Sequence, residues 1–214
     1  ITNNIDLSGE GGLVWIKTRT NDVYSGYDGL FFDTERTLGK KLIANSTNAE
    51  ASLSNGFTAF NSNGFSIGSS VELNSNGEDI VSWTFRKAPK FFDIVTYTGD
   101  GDYTGRAISH NLGSAPGMIW IKKTSGSSNW IVYHRSEGAT KLLELDNNSQ
   151  SNTYNMFHNT EPTSTQFYVS SYHKVNQSGE SFVAYLFAHN DSGDGGFGPD
   201  GDQDIIKCGS YTGN

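Results

Sequence analysis

The hydrophobic residues of this chain come in short runs, and clusters of glycine, serine and asparagine separate them. Alternation is clearest at residues 80–86, where Trp83 and Phe85 fall on one side of an extended chain and mostly polar residues fall on the other. No window of about 11 residues has a helical period, so helices should be short or absent. Short strands with turn signals about every 8 to 12 residues are typical of a β-sandwich or β-barrel.

The pattern therefore predicts an all-β fold. Long polar loops between apolar runs favour a two-sheet sandwich of the jelly-roll (concanavalin-like) type over a barrel. The predicted strands cover residues 13–17, 30–33, 41–45, 57–60, 65–67, 80–86, 91–97, 118–122, 130–133, 141–145, 167–169 and 181–187.

The chain also repeats itself. Residues 12–17 (GLVWIK) return as residues 117–122 (GMIWIK), an offset of 117 − 12 = 105. Residues 65–85 align without a gap on residues 167–187, an offset of 167 − 65 = 102, with Asn, Gly, Glu and Val at matching places. Similar offsets at both ends of a unit indicate internal duplication, so Trp15 should be equivalent to Trp120 and Trp83 to Tyr185.

The duplication predicts two tandem β-sandwich modules, residues 1–89 and 90–190. An Asp/Gly-rich linker and a terminal strand follow in residues 191–214. The module to which the strand at 91–97 belongs stays open at this stage. The terminal strand either closes the second module or opens a third.

Composition narrows the class of protein. Aromatic residues make up 13% of the chain and charged residues 18%, as expected for aromatic strands between polar turns. A formal net charge of −8 argues against a nucleic-acid partner, which requires a basic surface. No apolar run approaches the length of a membrane-spanning helix, so no membrane insertion is expected. Cys208 is the only cysteine, which excludes an internal disulfide, and a first residue Ile1 suggests a piece of a longer protein.

Several motifs resemble a known group of proteins. They are GLVWIK at 12–17, VSWTFRKAP at 81–89, SHNLGSAPGMIWIK at 109–122, WIVYHRS at 130–136, VAYLFA at 183–188 and CGSYTGN at 208–214. Together they resemble the tandem concanavalin-like β modules of tail fibre and appendage proteins in tailed bacteriophages, many of them marine. The resemblance implies a virion location and an oligomeric, often trimeric, assembly with other virion proteins, and it carries no catalytic motif.

One pair of acids lies outside the motifs of that family and resembles a known catalytic arrangement. Glu144 and Asp146 should share one side of a strand, as the paired acids of some glycoside hydrolases do. A third acid is missing, because Asn147, Asn148 and Ser149 follow. The simpler interpretation is a solvated strand face, and His110 and His134 are likewise interpreted as hydrogen-bonding groups of turns or of the core.

Aromatic residues in loops are the candidates for a glycan platform. Trp15, Trp83 and Trp120 lie in apolar runs and are expected in the core. The candidate glycan-binding residues are Trp130, which follows three polar residues, Tyr24 and Tyr27 in the loop before residue 30, and Asn147 and Asn148.

The Asp/Gly-rich segment is a candidate calcium site. Calcium takes several oxygen ligands from flexible loops, although the spacing here does not match an EF-hand. The candidate ligands are Asp191, Asp194, Asp200, Asp202 and Asp204. The alternative is an acidic linker between modules.

Three functions follow from the sequence. The first is a non-enzymatic, extracellular virion appendage that adheres to host-surface glycan. The second is a purely structural spacer or assembly module of a virion or an extracellular filament. The third is a polysaccharide depolymerase, against which the missing third acid argues.

Overall fold

Antiparallel strands make up nearly all the regular structure in residues 1–19, 28–190 and 202–213, the part of the chain that this computed structural model describes. The predicted all-β class is confirmed. The chain divides into unit 1, Ile1–Lys87, and unit 2, Ala88–Asn214. That division lies two residues before the predicted one, and the described part of the terminal segment falls within unit 2. Residues 202–213 form no strand, so the predicted terminal strand is absent from the described residues.

Unit 1 contains seven strands and one helical turn in its described residues. They are β1 (Gly12–Thr18), β2 (Gly29–Asp33), β3 (Lys40–Ile43), β4 (Ala51–Ser52), β5 (Phe57–Asn61), β6 (Gly64–Ile67), α1 (Val71–Asn74) and β7 (Ile80–Arg86). The large sheet has the order β4-β3-β2-β1-β7, and β5 pairs with β6 in a small second sheet. Apolar side chains of the two sheets, such as Val14, Ile16, Phe57 and Phe65, meet in one core.

Unit 2 repeats this arrangement and extends it. Its elements are β8 (Phe92–Thr98), β9 (Arg106–Ser109), β10 (Pro116–Lys123), β11 (Ile131–His134), β12 (Lys141–Glu144), β13 (Asn152–Thr153), β14 (Gln166–Val169), α2 (His173–Asn176) and β15 (Ser181–Ala188). The large sheet has the order β13-β12-β11-β10-β15-β8, and β14 pairs with β9. Ile108 and Phe167 of the small sheet pack in one core with Ile119 and Ile121 of the large sheet.

The strand at 91–97, whose module the sequence left open, is β8 and belongs to unit 2. It pairs with β15 over its whole length, from Phe92 opposite Phe187 to Thr98 opposite Ser181. Phe92 and Ile94 of this strand are buried.

The central strands of the two large sheets have matching registers. Trp15 of β1 lies opposite Trp83 of β7, and Trp120 of β10 lies opposite Tyr185 of β15. Trp15 and Trp120 are both partly buried, whereas Trp83, which was also expected in the core, is 41% exposed, so that expectation is wrong for Trp83. These pairings agree with the equivalences that the two sequence offsets predict.

Three strands were not predicted from the sequence. β4 and β13 have two residues each, too few for an alternating pattern, and β9 is a mostly polar strand with only Ile108 buried. The two helices have four residues each, as the absence of a helical period predicts. In the described residues no helix has the length and apolarity needed to cross a membrane.

Candidate functional site

Trp130 does not form a surface platform, and that prediction is wrong. Its side chain has 0% exposure, and its ring stacks on Tyr185 with the centroids 6.1 Å apart. Lys122 Nζ lies 5.8 Å from the centre of the Trp130 ring, and the Trp130 backbone N–H donates to Asp146 Oδ1 at 3.0 Å. The polar residues before Trp130 indicated a loop, but the chain enters β11 directly after it and turns the indole into the core.

Asn147 and Asn148 lie where the sequence placed them, exposed in the loop between β12 and β13. Asn147 is held in place, since its Nδ2 donates to Glu144 Oε2 at 2.9 Å and its Oδ1 accepts from the Ser149 backbone at 3.0 Å. Tyr24 and Tyr27, the other two aromatic candidates, lie outside the described residues.

Two tyrosines that the sequence analysis missed lie in the same region of unit 2. Tyr154, just after β13, is 50% exposed, and Tyr172, just before α2, is 40% exposed. Their rings meet edge to face with the centroids 6.2 Å apart. Each stands among polar residues in the sequence, which is the signal that could have identified it, but a separation of 172 − 154 = 18 positions gave no reason to pair them.

A chain of hydrogen bonds runs from Lys174, which follows the tyrosine pair in the sequence, to Asn147. Lys174, two residues after Tyr172, donates from Nζ to Glu144 Oε1 at 2.7 Å, and Glu144 Oε2 accepts from Asn147. Glu144 is mostly shielded, with 10% of its side chain exposed, so the ion pair is stronger than one fully in water. We call Tyr154, Tyr172, Glu144, Asn147 and Lys174 the tyrosine-pair surface.

The tyrosine-pair surface combines two kinds of interaction that suit a sugar. Exposed tyrosine rings are rigid and lose little conformational entropy when they stack on an apolar face, and each ends in a hydroxyl group that hydrogen-bonds. Amide, ammonium and carboxylate groups beside them provide both donors and acceptors for hydroxyl groups. A pyranose ring has one face of C–H groups and an edge of hydroxyls, so it matches both.

Glu144 and Asp146, the candidate paired acids, bind different partners. Glu144 accepts hydrogen bonds from Asn147 and Lys174, whereas Asp146 lies past the end of β12 and accepts the Trp130 N–H. Each carboxylate therefore has a role that holds a local structure together.

Unit 2 also contains a polar cleft of about 480 Å³. Glu161 lines it and accepts hydrogen bonds from Tyr133 Oη at 2.6 Å and from the Ala139 backbone at 2.8 Å. Burial and then the bond to Glu161 raise the pKa of Tyr133, so its proton stays on the phenol. Burial likewise raises the pKa of the Cys208 thiol, which disfavours the reactive thiolate.

The histidine interpretations are confirmed for the two histidines considered. His110 is buried, and its Nδ1 accepts the backbone N–H of Leu112 at 3.2 Å. His134 Nδ1 accepts the backbone N–H of Ser136 at 3.3 Å.

The calcium hypothesis falls mainly on residues that the structure does not describe. Asp191, Asp194 and Asp200 lie outside the described ranges, and Asp202 and Asp204 are exposed. Within residues 1–19, 28–190 and 202–213, no group of three or more His, Cys, Asp or Glu side chains could hold a metal ion. Calcium binding by the whole segment stays a prediction.

Comparison with known proteins gives one match. A family model described as Domain of unknown function (DUF7483) matches residues 4–214. No curated protein and no solved structure matches the chain. Because the family model covers nearly all of the sequence, the chain belongs to the family described as Domain of unknown function (DUF7483).

Proposed function

We propose that this chain is a non-enzymatic module of a tailed-bacteriophage tail fibre or appendage, and that unit 2 adheres to host-surface glycan through the tyrosine-pair surface. The observation that carries this proposal is the exposed, mutually contacting pair Tyr154 and Tyr172. The hydrogen bonds of Lys174, Glu144 and Asn147, which start two residues after Tyr172 in the sequence, add polar groups to it. The module works outside the cell as part of a virion, in several copies.

The fold under this proposal is a pair of tandem jelly-roll modules that arose by duplication. Support comes from the shared strand order, in which β4-β3-β2-β1-β7 corresponds to β13-β12-β11-β10-β15. The matching registers at Trp15 and Trp120 support it as well. The tyrosine-pair surface is not duplicated, because Ser70 stands 102 residues before Tyr172.

The structural environment of the acids supports adhesion over hydrolysis. A glycosidase needs one carboxyl group poised as an acid and another as a nucleophile or base on either side of the bond that is cut. Glu144 is instead paired with Lys174, and Asp146 accepts the backbone N–H of Trp130, so each carboxylate is engaged by a structural contact.

Weak binding at a single surface suffices for this role. An appendage with several copies engages a polysaccharide at several points, and the effective concentration of the later contacts raises the overall affinity. The net charge of −8 disfavours nucleic acid and other anionic partners, so neutral or amine-bearing sugars are the favoured ligands.

The test is a binding screen of the 214-residue chain against neutral and amino-sugar-containing bacterial surface polysaccharides, with anionic ones in parallel, followed by titration of the best ligand. We expect Tyr172→Ala to weaken binding at least about fivefold, because stacking on an exposed ring contributes on the order of 1 kcal/mol or more. Tyr103→Ala is the matched control, since Tyr103 is also exposed but lies away from the tyrosine-pair surface in sequence and carries none of its contacts.

Two outcomes contradict the proposal. If no polysaccharide binds, or if binding survives in Tyr172→Ala, the tyrosine-pair surface is not the adhesive site. Release of reducing ends that disappears in Glu144→Gln would instead establish a depolymerase.

The second candidate is a purely structural spacer or assembly module of a virion or an extracellular filament. The observation that favours it is the outer edge of β7, where the large sheet of unit 1 ends in its described residues. Assembly without any polysaccharide binding would support this candidate over adhesion.

A further inference from the structure

The two large sheets differ at one edge. In unit 2, β15 lies between β10 and β8, whereas β7 of unit 1 pairs with β1 and is the last strand of its sheet in the described residues. Side-chain exposure differs in the same way: Trp83 of β7 is 41% exposed, and Tyr185 of β15 is fully buried. An uncovered sheet edge is a template for an added strand.

In unit 2, β8 lies at that edge, and its Tyr97 packs against the core. The ring of Tyr97 in β8 stacks on Phe182 with the centroids 5.2 Å apart and meets the edge of Phe167 at 6.3 Å. Its hydroxyl donates to the backbone carbonyl of Val175 at 2.7 Å.

Unit 1 has a groove at the matching place. The residues 102 positions before the three partners of Tyr97 are Phe65, Leu73 and Ile80. All three line one half-open groove of about 200 Å³, whose lining is mainly apolar and also includes Ile16 and Ile67. The groove is therefore the counterpart of the site that Tyr97 fills in unit 2.

The C-terminal segment carries a sequence that fits this groove. Residues 206–213 (IKCGSYTG) align without a gap on residues 92–99 (FDIVTYTG), an offset of 211 − 97 = 114 that matches Tyr211 with Tyr97. Residues 209–213 are exposed, and Tyr211 has 95% of its surface in solvent. Such a tyrosine gains more apolar burial on docking than any ring already packed in the core.

We propose that residues 209–213 of one copy of this chain add as a strand to the outer edge of β7 in a second copy, and that Tyr211 enters the groove. In unit 2, Tyr97 of β8 lies opposite Phe182 of β15. Applying the offset of 114 to β8 and the offset of 102 to β15 places Tyr211 opposite Ile80 and Gly209 opposite Ser82. Backbone hydrogen bonds along β7 hold the segment, and the tyrosine ring selects it.

The residues just before this segment can stay on their own unit. The backbone N–H of Ile206 donates to Asn190 Oδ1 at 3.1 Å, and that of Cys208 donates to His189 Nδ1 at 3.0 Å. Only the five exposed residues need to extend outward. Because the donor segment and the acceptor edge are different surfaces, the contact is head-to-tail and adds copies one after another, into an open chain or a closed ring.

Sedimentation equilibrium of the full chain between about 5 and 500 µM, at about 0.15 M salt to screen the net charge, tests this directly. We expect the average mass to rise with concentration beyond a dimer. Tyr211→Ala should remain monomeric, and Tyr103→Ala, which alters an equally exposed tyrosine, should associate like the wild type.

A mixing experiment separates this contact from any other. Ile80→Glu places a charge in the groove at a residue that is 36% exposed, so it should fold and remain monomeric. Ile80→Glu keeps an intact C-terminal segment, and Tyr211→Ala keeps an intact groove. When the two variants are mixed, we expect 1:1 dimers and nothing larger. A wild type that is monomeric throughout, association that survives Tyr211→Ala, or a mixture that stays monomeric would each overturn the proposal.

Discussion

Lys122 is a charged residue enclosed within unit 2, with 0% exposure. Its ammonium group donates to the Ser128 carbonyl and lies against the face of Trp130. Burial lowers the pKa of Lys122 to about 8, against an ordinary value of 10.5, and the nearby Asp146 opposes that shift only in part.

This pKa predicts how stability changes with pH. Between pH 8 and 10 the unfolded chain keeps the Lys122 proton while the folded chain releases it, so the contribution of Lys122 to the free energy of unfolding rises with pH. We expect the stability of the wild type relative to Lys122→Met to rise by on the order of 2 kcal/mol across this window.

Urea unfolding of both proteins at intervals from pH 7 to 10 checks the prediction. Using the difference between the two proteins removes the opposite contributions of Tyr133 and Cys208, whose raised pKa values lower stability at high pH in both. A difference that does not change with pH would mean that Lys122 keeps an ordinary pKa.

Trp130 illustrates the limit of sequence reasoning at the residue scale. Its neighbours Ser127, Ser128 and Asn129 are polar, yet Ser128 is itself buried and its carbonyl binds Lys122. A local window cannot reveal that a lysine on another strand satisfies the polar backbone before the tryptophan.

At the scale of elements, the one-turn helix α2 fixes the turn that follows β8. Asn176 at its end is fully buried, and its side chain accepts from the Asp100 backbone at 3.1 Å and donates to Asp100 Oδ1 at 2.9 Å. Gly99 packs so closely against this turn that an added Cβ would overlap the Gln177 carbonyl oxygen. The same asparagine 102 residues earlier, Asn74, is exposed, and its amide donates to the Gly68 carbonyl at 3.0 Å.

This contrast gives a matched pair of variants. We expect Asn176→Ala to lower the free energy of unfolding by about 2 kcal/mol, because it removes two hydrogen bonds to Asp100 and leaves a void at a fully buried position. Asn74→Ala should change it by less than about 0.5 kcal/mol, as is usual for an exposed residue. Thermal and denaturant unfolding measure both, and equal effects would contradict this account of α2.

The elements that the sequence predicted are those with a strong local pattern. The strands around Trp15 and Trp120 are apolar runs that repeat, and residues 80–86 alternate, so each could be identified. The two-residue strands β4 and β13 depend on pairing with β3 and β12 and leave no pattern of their own. The tyrosine-pair surface was missed for a similar reason, since Tyr154 and Tyr172 meet only once β13 and α2 are in place.

At the scale of the whole molecule, the two large sheets share one strand order, and among the described residues only the sheet of unit 2 has a further strand, β8, at its edge. The strand β15 has a partner on both sides, and β7 has one described partner. Because β8 lies beside β15, Tyr185 of β15 is buried, while its counterpart Trp83 of β7 is partly exposed.

Hydrogen–deuterium exchange of the full-length Tyr211→Ala variant, followed by mass spectrometry, tests this claim most directly, because that variant cannot cover its own β7 edge by association. We predict that peptides from the equivalent strands β1 and β10 are similarly protected, since both have partners on two sides. Peptides from β7 should exchange at least about tenfold faster than peptides from β15, because among the described residues β7 has one strand partner and β15 has two. Equal protection of β7 and β15, or an unprotected β1 beside a protected β10, would contradict the account.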